Sequence, residues 1–527
     1  MKIVIIGSGM SGLTAGAYLS LYGHEVLLFE QFSHIGGVTA TITQDGYSWD
    51  LGPMLVEGLA PHEKLGQICQ ELGIDIENSL TLTREERGQS FLSYNLNSPE
   101  EYEGPYWRRE RLKKIYPSES KGLDEYYDLH DSIMKLMHHG NQIPFQKGTA
   151  LLKTKLQMLF TFLKVKKYKD WSAQQLMDYL FKDEELKTVF LGILADMVVK
   201  PSEFSALGVP IFNPEGVYDK RIPIENKRKG FKYPTYNYIK NGCGELVKLF
   251  ADFIKSHGGK IHINSKITKI LMGNGECNGV QLENGESIDA DIVLTSGEPQ
   301  QTFFNLIGKE HLTEDLIHHI GNILYEESVL MVHVGTSIDF QKYQKKALVY
   351  YYRTADIEGA IDKMRNGINH GGKDGFLIYN LSMHSPEMAP PGKHAVTIYT
   401  VVPHKLRDGD WTVQREDLAD QLLLEAEKVL PGLYESIETK WIITPDDFKK
   451  RLNVTRHSFG GIPPIMGQKN LPYETPVKNL FFIGQFSESG AGVFGTAMGG
   501  RKVALKILKG KKHKTVKTEH GETSHGF

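Results

Sequence analysis

The sequence predicts an α/β fold in which a Rossmann-like domain carries an inserted α+β domain. The chain begins with a strand, a glycine-rich turn and a helix, then a second strand: MKIVIIGSGMSGLTAGAYLSLYG and HEVLLFE. It ends with another strand, glycine-rich loop and helix, NLFFIGQFSESGAGVFGTAMGGRKVALKIL. The long stretches between them show helical periodicity in some places and strand alternation in others, which is typical of added α+β structure.

Composition narrows the function classes. The 527 residues carry a formal net charge of −3, so no overall positive field favours a nucleic-acid partner. The three cysteines, Cys69, Cys243 and Cys277, are far apart and form no CxxC, which favours a reducing compartment over a disulfide framework. Neither a signal peptide nor an uncharged apolar run of about 18 residues is recognised. We therefore expect a cytoplasmic protein without a membrane-spanning helix.

The first glycine cluster, GSGMSG, has the context of a dinucleotide-binding turn. Gly7 permits the tight turn, Gly9 lets the backbone approach a pyrophosphate, and Gly12 allows close packing of helix and strand. Ser11 lies at the start of the helix, whose free N–H groups favour phosphate. Glu30 ends the second strand, roughly 20 residues further on, where an acid accepts hydrogen bonds from ribose hydroxyls.

Two further glycine-rich segments identify the nucleotide. Gly36 and Gly37 form a second diglycine that a nicotinamide dehydrogenase does not need, whereas an extended FAD requires a second close backbone approach. Near the end of the chain, Gly484, Gly492 and Val493 belong to a loop that leads into a helix, and its N-terminus suits the electron-rich edge of a reduced flavin. The combination predicts FAD as the cofactor.

The chain as a whole resembles the flavin amine-oxidase-like superfamily, in its branch of phytoene desaturases, carotenoid isomerases and retinol saturases. The resemblance covers nearly the whole length and includes DGYSWDLGP, NGCGELVKLFADFIKSHGGKIHINSKITKI, ADIVLTSGEPQQTF, APPGKHAVTIYTVVPH and TPDDFKKRLNVTRHSFGG. It implies an FAD-binding domain of the GR2 type. It also implies that Asp50, Gly52 and Pro53 lie beside the flavin and that the backbone near Ile267 meets the adenine.

The sequence departs from the pattern of this family at two places. Val38 follows the diglycine where desaturases carry an arginine that pairs with the pyrophosphate, and this removes a bidentate cation. The final loop reads SGAGVFG, with Ser489, Ala491 and Phe494 where the family often has proline or glycine. We expect FAD to bind despite these changes, but the resemblance to the family does not determine the specific reaction.

The FAD domain is expected to be discontinuous, with two insertions forming a substrate domain. The FAD-binding segments are 1–85, 235–300 and 440–510, the substrate-domain segments are 86–234 and 301–439, and 511–527 is expected to be a disordered tail. Within the first insertion, residues 151–170 alternate lysines with large apolar residues. Such a basic amphipathic segment suits peripheral contact with the inner face of a membrane, although it equally describes a surface helix whose apolar face joins the core.

Few residues suggest catalysis by the protein itself. Glu488 is the candidate acid or base, because its loop should pass near the flavin and burial there would raise its pKa; the alternative is a solvated loop carboxylate. His457 is expected to be structural, and Asp50 to cap backbone groups. No pattern of metal ligands is recognised, so no metal is expected.

The leading hypothesis is an FAD-dependent oxidoreductase that desaturates, saturates or isomerises an apolar polyisoprenoid lipid. A flavin amine oxidase is the second hypothesis, and it would want an aromatic cage for a cationic substrate. A non-catalytic binding module with a flavoprotein-like fold is the third. The substrate, the electron donor or acceptor and the oligomeric state are left open.

Overall fold

The computed structural model describes residues 1–84 and 86–510, so the predicted tail 511–527 lies outside the described residues. The strands are β1 Lys2–Ile6, β2 Glu25–Phe29, β3 Thr41–Gln44, β4 Tyr47–Asp50, β5 Val56–Glu57, β6 Leu82–Arg84, β7 Arg87–Ser90, β8 Glu225–Asn226, β9 Phe231–Lys232, β10 Tyr236–Ile239, β11 Lys260–His262, β12 Ile267–Gly273, β13 Glu276–Leu282, β14 Ser287–Asp289, β15 Ile292–Thr295, β16 Ser328–Thr336, β17 Leu348–Tyr352, β18 Gly375–Asn380, β19 His394–Val402, β20 Ile437–Ile443 and β21 Leu480–Phe482. The α-helices are α1 Met10–Leu21, α2 Lys64–Leu72, α3 Ile76–Ser79, α4 Trp107–Ile115, α5 Ser120–Gln142, α6 Gly148–Val165, α7 Ala173–Leu180, α8 Glu184–Asp196, α9 Val209–Phe212, α10 Gly244–Ser256, α11 Glu314–Gly321, α12 Phe340–Tyr343, α13 Ile357–Arg365, α14 Arg415–Glu427, α15 Pro445–Leu452 and α16 Val493–Lys509.

A five-stranded parallel sheet organises the first domain, in the order β11-β2-β1-β15-β21. The strands are short apolar runs buried on both faces, as parallel strands usually are. Ile3 and Ile5 pack into the core on one side, and Val4 packs into the core on the other. The predicted Rossmann-like α/β architecture is therefore confirmed, and strands from both ends of the chain belong to one sheet, with β15 between β1 and β21.

Three helices cover one face of this sheet, with α1 between α10 and α16. Small residues permit the close approach: a Cβ on Gly500 of α16 would lie 2.2 Å from the backbone oxygen of Ser11. A Cβ on Gly16 would lie 3.0 Å from Ile254 of α10. The antiparallel strands β12, β13 and β14 cover the opposite face, where Ile270 and Val280 join its core. The sequence AMGGRK at the end of the chain thus serves helix packing.

A six-stranded sheet forms the second domain, in the order β20-β16-β19-β18-β17-β7. Its neighbouring strands are antiparallel except for β7, which runs parallel to β17. Helices α4 to α9 belong to the first predicted insertion. The second predicted insertion supplies β16, β17, β18 and β19 of the sheet, and β7 and β20 complete it. The α+β character of the insertions agrees with the periodicities in the sequence.

The domain boundaries stay predictions, and one of them would divide a strand. The predicted boundary at 440 falls inside β20, which pairs with β16 along its length from Ile437 to Ile443. A strand belongs to the sheet that holds its hydrogen bonds, so we propose that the FAD-binding segment resumes after residue 443. Within residues 1–84 and 86–510, no helix combines the length and hydrophobicity needed to cross a bilayer.

Candidate cofactor site

The turn between β1 and α1 forms one wall of a cleft at the carboxyl ends of the parallel strands. Gly7 has a φ of +97°, and a Cβ on Gly12 would lie 2.2 Å from the Gly7 oxygen, so both positions require glycine. A Cβ on Gly9 would meet no protein atom within 4 Å, because this position faces the open cleft. Ser11 also lines the cleft, whereas Gly12 lies behind it. This geometry agrees with a tight turn at Gly7 and close helix–strand packing at Gly12, and the approach of Gly9 to a pyrophosphate stays a prediction.

Glu30 is fixed at the end of β2, in the same cleft. The Ser8 backbone N–H and hydroxyl donate to Oε2 at 3.1 and 2.5 Å, and the Phe32 N–H donates to Oε1 at 3.1 Å. These three donors hold the carboxylate in one orientation. Each carboxylate oxygen accepts more than one hydrogen bond, so capacity remains for ribose hydroxyls.

The second glycine pair forms the neighbouring wall. Gly36 and Gly37 have φ values of +104° and +59°, and Gly36 is anchored by a hydrogen bond from its N–H to the Ser8 hydroxyl at 3.0 Å. Val38 lines the cleft beside them, together with Gly52 and Pro53. Asp50 does not line it: its buried Oδ1 accepts hydrogen bonds from the Cys243 N–H at 2.9 Å and the Thr41 hydroxyl at 2.5 Å. Asp50 thus caps the start of α10, as expected, and burial raises its pKa to about 6.

The C-terminal loop closes the cleft from the opposite side. Gly484, Gly492 and Val493 line it, as does Ile267. Gly492 is the N-cap of α16, and Gly9 is the N-cap of α1; neither helix has a side-chain cap. Two uncapped helix N-termini therefore face the same space and offer N–H donors to negative charge.

Two other predicted residues lie outside the cleft lining. Glu488 is solvent-exposed on its loop, so the burial on which its catalytic assignment depends is absent, and the geometry favours the solvated alternative. His457 is buried, 2.5 Å from the Ser328 hydroxyl through Nδ1 and stacked on Phe448 at 4.4 Å. Burial lowers its pKa to about 3, which fits a neutral structural residue. Among the described residues, no group of three His, Cys, Asp or Glu side chains could hold a metal ion.

Arg451, at the end of α15, is a cleft residue that the sequence analysis missed. Its guanidinium lies over the Phe32 ring at 5.4 Å, and its Nε is buried with no hydrogen-bond partner in the described part of the chain. A buried guanidinium N–H without a partner is costly unless a ligand satisfies it. The sequence offered only a basic residue in KKRLNVT, the segment before RHSFGG, and sequence order alone does not bring it to Glu30.

The cleft meets the second domain at Phe459 and Gly460, which line it. The Gly460 N–H donates to Glu326 Oε2 at 2.7 Å, and the Phe459 ring lies 5.7 Å from the Tyr399 ring. The Tyr399 hydroxyl donates to the Asp196 carboxylate at 2.9 and 3.2 Å. Burial raises the pKa of Asp196 to about 6 and that of Glu326 to about 8. A cluster of buried polar groups, in which both carboxyl groups have raised pKa values, therefore adjoins the cleft.

These features fit a dinucleotide cofactor. The open Cβ position of Gly9 leaves room for close backbone contact, the two helix N-termini supply donors, and Glu30 and the unpartnered Arg451 Nε supply polar groups at one end. Fold and site together define a nucleotide-binding α/β protein whose cleft is lined by segments from both ends of the chain.

Comparison with known proteins identifies the family. The family model for flavin-containing amine oxidoreductases matches residues 10–508, and the chain belongs to this family. It is 24% identical to prolycopene isomerase 1 of an Oncidium hybrid cultivar, over 96% of this chain and 83% of that protein. It is also 24% identical to the zeta-carotene-forming phytoene desaturase of Myxococcus xanthus, over 96% of this chain and 94% of that protein. An oxidoreductase from Methanosarcina mazei has the same fold, with a TM-score of 0.60 at 18% identity, over 96% of this chain and all of that one. The protein is thus an FAD-dependent oxidoreductase, and the FAD prediction is confirmed.

Proposed function

We propose that the protein uses FAD to change carbon–carbon bonds of a long apolar polyisoprenoid, by desaturation, saturation or cis–trans isomerisation. The observation that carries the proposal is the similarity over 96% of the chain to both a prolycopene isomerase and a phytoene desaturase. When bound, FAD supplies the redox chemistry by accepting or returning a hydride. For reactions of this kind, the protein mainly has to orient the substrate and provide an apolar binding space.

One apolar cluster of the second domain, here called the inner core, includes Val329, Leu348 and Tyr399 of the six-stranded sheet. Its position beside the cleft supports an apolar substrate. Val38 and Phe459 line the cleft and also pack against this core, together with the partly accessible Met197 and Phe212. A hydrocarbon chain placed here would exchange water for aliphatic and aromatic contacts, which is worth roughly 25 cal/mol per Å² of buried apolar surface. We propose that these side chains orient the polyene toward the flavin and exclude water.

The cofactor contacts follow from the cleft. We propose that Gly9, Gly36 and Gly37 keep side chains away from the diphosphate while the N-termini of α1 and α16 donate hydrogen bonds to the cofactor. Glu30 accepts hydrogen bonds from ribose hydroxyls, and Arg451 takes over part of the role of the cation that Val38 replaces.

Helix α6 supports contact with a membrane. Its large apolar side chains are exposed along one continuous stripe: Leu152 61%, Leu156 47%, Leu159 52%, Phe160 65% and Leu163 54%. Lysines 153, 155, 164 and 166 flank the stripe and are also exposed. The alternative, an apolar face turned into the core, does not describe these residues. We propose that α6 lies on the anionic inner face of a membrane, in the reducing compartment predicted from three unpaired cysteines, where a lipid substrate would be available.

The reaction type is tested by product analysis. Purified holoprotein is incubated with long polyenes in liposomes, and products are separated by chromatography with mass detection. Loss of two hydrogens, gain of two hydrogens, or an unchanged mass with altered elution distinguishes desaturation, saturation and isomerisation. The alternative, an amine oxidase, would instead release hydrogen peroxide with amines and leave every polyene unaltered. That result would contradict the proposal.

A further inference from the structure

Arg87 lies at the edge of the six-stranded sheet, on the face that turns inward. It stands at the start of β7 opposite Leu348 of β17, whose side chain belongs to the inner core. Its guanidinium lies 4.7 Å from the centre of the Tyr236 ring and 5.6 Å from that of Tyr350. The rings attract the cation through their faces but do not accept its N–H bonds as carbonyl or carboxylate oxygens do. Accordingly, Arg87 Nε is buried with no hydrogen-bond partner among the described residues.

The surroundings of Arg87 indicate an internal cavity. Arg87, Asp196 and Tyr350 each keep part of their surface accessible. Even so, loss of contact with bulk water raises the pKa of Asp196 and of Tyr350. Side chains that keep accessible surface but are shielded from bulk water face an enclosed space. The cavity adjoins the flavin cleft, because Asp196 contacts Tyr399, whose ring lies next to Phe459.

The unpartnered N–H group of Arg87 favours a ligand with an acceptor atom. Arg87 stays charged at every accessible pH. Asp196, which the Arg87 charge stabilises as an anion, still has a pKa of about 6, and Glu326 has a pKa of about 8. Burial also raises the pKa of Glu57, the other carboxyl on which the Arg87 charge acts. Asp196 is therefore largely ionised near neutral pH and offsets much of the guanidinium charge, but no carboxylate among the described residues accepts a hydrogen bond from Arg87 Nε. A purely hydrocarbon ligand or a protonated amine, neither of which has an acceptor atom, would leave this buried N–H unsatisfied.

We infer that the substrate is an isoprenoid whose chain ends in an acceptor oxygen, a carbonyl or a carboxylate, and that Arg87 binds this oxygen. The inference rests on the proposed function and adds the chemical class of the substrate's end group. Arg87 acts as a specificity-determining residue: it fixes which end of the chain enters the cavity and how far the chain extends toward the flavin. A planar guanidinium suits this role, because it offers parallel N–H bonds to one oxygen-bearing group.

Direct binding to holoprotein tests the inference. The probes are a linear C30 polyene hydrocarbon and the same chain ending in an aldehyde or a carboxylate, followed by quenching of protein fluorescence. We expect the two oxygenated probes to bind about tenfold more tightly than the hydrocarbon, the difference typical of one charge-assisted hydrogen bond. Arg87→Met should abolish the difference, and Arg87→Lys, which keeps charge without the planar fork, should retain part of it. Arg407→Met, at an exposed arginine paired with Asp408, serves as the matched control.

The outcomes separate the two claims. If all three probes bind equally to the wild type, or if Arg87→Met keeps the full preference while retaining its flavin, the inference is overturned and the proposed function stands. If no polyene binds at all, both fail. If Arg87→Met does not fold, the comparison of the wild type with Arg87→Lys decides in the same way.

Discussion

At the residue scale, Gly9 is the position where the cleft is most sensitive to a side chain. Its Cβ position is free of protein atoms, so Gly9→Val should leave the fold intact and fill the space that the cofactor needs. We expect FAD binding to weaken at least tenfold, since close backbone approach is lost. Flavin content of the purified variant measures this. Gly321→Val, another glycine with open space around its Cβ, is the control and should keep its flavin. Full flavin occupancy in Gly9→Val would refute the assignment of this turn.

Arg451 tests whether a cation from a distant segment compensates for Val38. Arg451→Met should weaken FAD binding about tenfold, because a charge-assisted hydrogen bond contributes roughly 1.5–3 kcal/mol. Titration of the apoprotein with FAD, at low and high salt, gives the affinity; the loss should be larger at low salt. Equal affinities of the variant and the wild type would show that Arg451 does not contact the cofactor.

These residues show which parts of the site local sequence patterns can predict. Gly7, Gly9, Glu30 and the C-terminal glycines could be predicted because each follows a strand whose pattern is local. Arg451 and Arg87 could not, since each is brought to its cavity by pairing and packing between segments hundreds of positions apart or in different sheets. Glu488 shows the converse: its loop was placed correctly, but local sequence does not specify which side chains of a loop point inward.

At the element scale, α6 shows why periodicity alone leaves an ambiguity. A stripe of leucines at helical spacing has the same pattern whether it faces the core or the solvent. Here the opposite face, with the buried Thr154 and Val165, packs inward, and the leucines stay outside. The pattern therefore predicted the helix and its two faces but could not decide what each face contacts.

Replacing Leu156, Phe160 and Leu163 by serine should release the protein from anionic liposomes. The variant loses most of its exposed apolar surface on α6, while its inward face is unchanged. Sedimentation with vesicles that contain about 30% anionic lipid, a fraction chosen to imitate an anionic inner leaflet, measures the bound fraction of the protein. Serine at the similarly exposed Leu92 and Leu424 is the matched control and should leave binding unaltered. Undiminished sedimentation of the α6 variant would exclude this helix as the contact.

At the scale of the whole molecule, the two domains meet at buried carboxyl groups whose protonation links stability to pH. Burial raises the pKa of Glu326 from 4.5 to about 8, so the folded state holds its proton more tightly than the unfolded state does. Its contribution to stability is therefore fully present below pH 4.5 and is lost as the pH rises toward and through about 8.

Glu326→Gln should flatten this dependence, because the amide cannot ionise and still accepts the hydrogen bond from the Gly460 N–H. Between about pH 5 and pH 9, the fall in the unfolding midpoint should be about 1–3 °C smaller in the variant than in the wild type. Thermal unfolding at several pH values measures it, with Glu435→Gln, at an exposed position, as control. An identical pH dependence in variant and wild type would mean that Glu326 does not keep its proton in the folded state.

The central claim is that both ends of one chain build a working flavin site, and a visible absorption spectrum of the purified protein tests it most directly. We expect the double band of an oxidised flavin, and mass spectrometry of the material released on denaturation should give the mass of FAD. A colourless protein that takes up no added FAD would contradict the claim, because the two glycine-rich segments would then form the fold without the cofactor site.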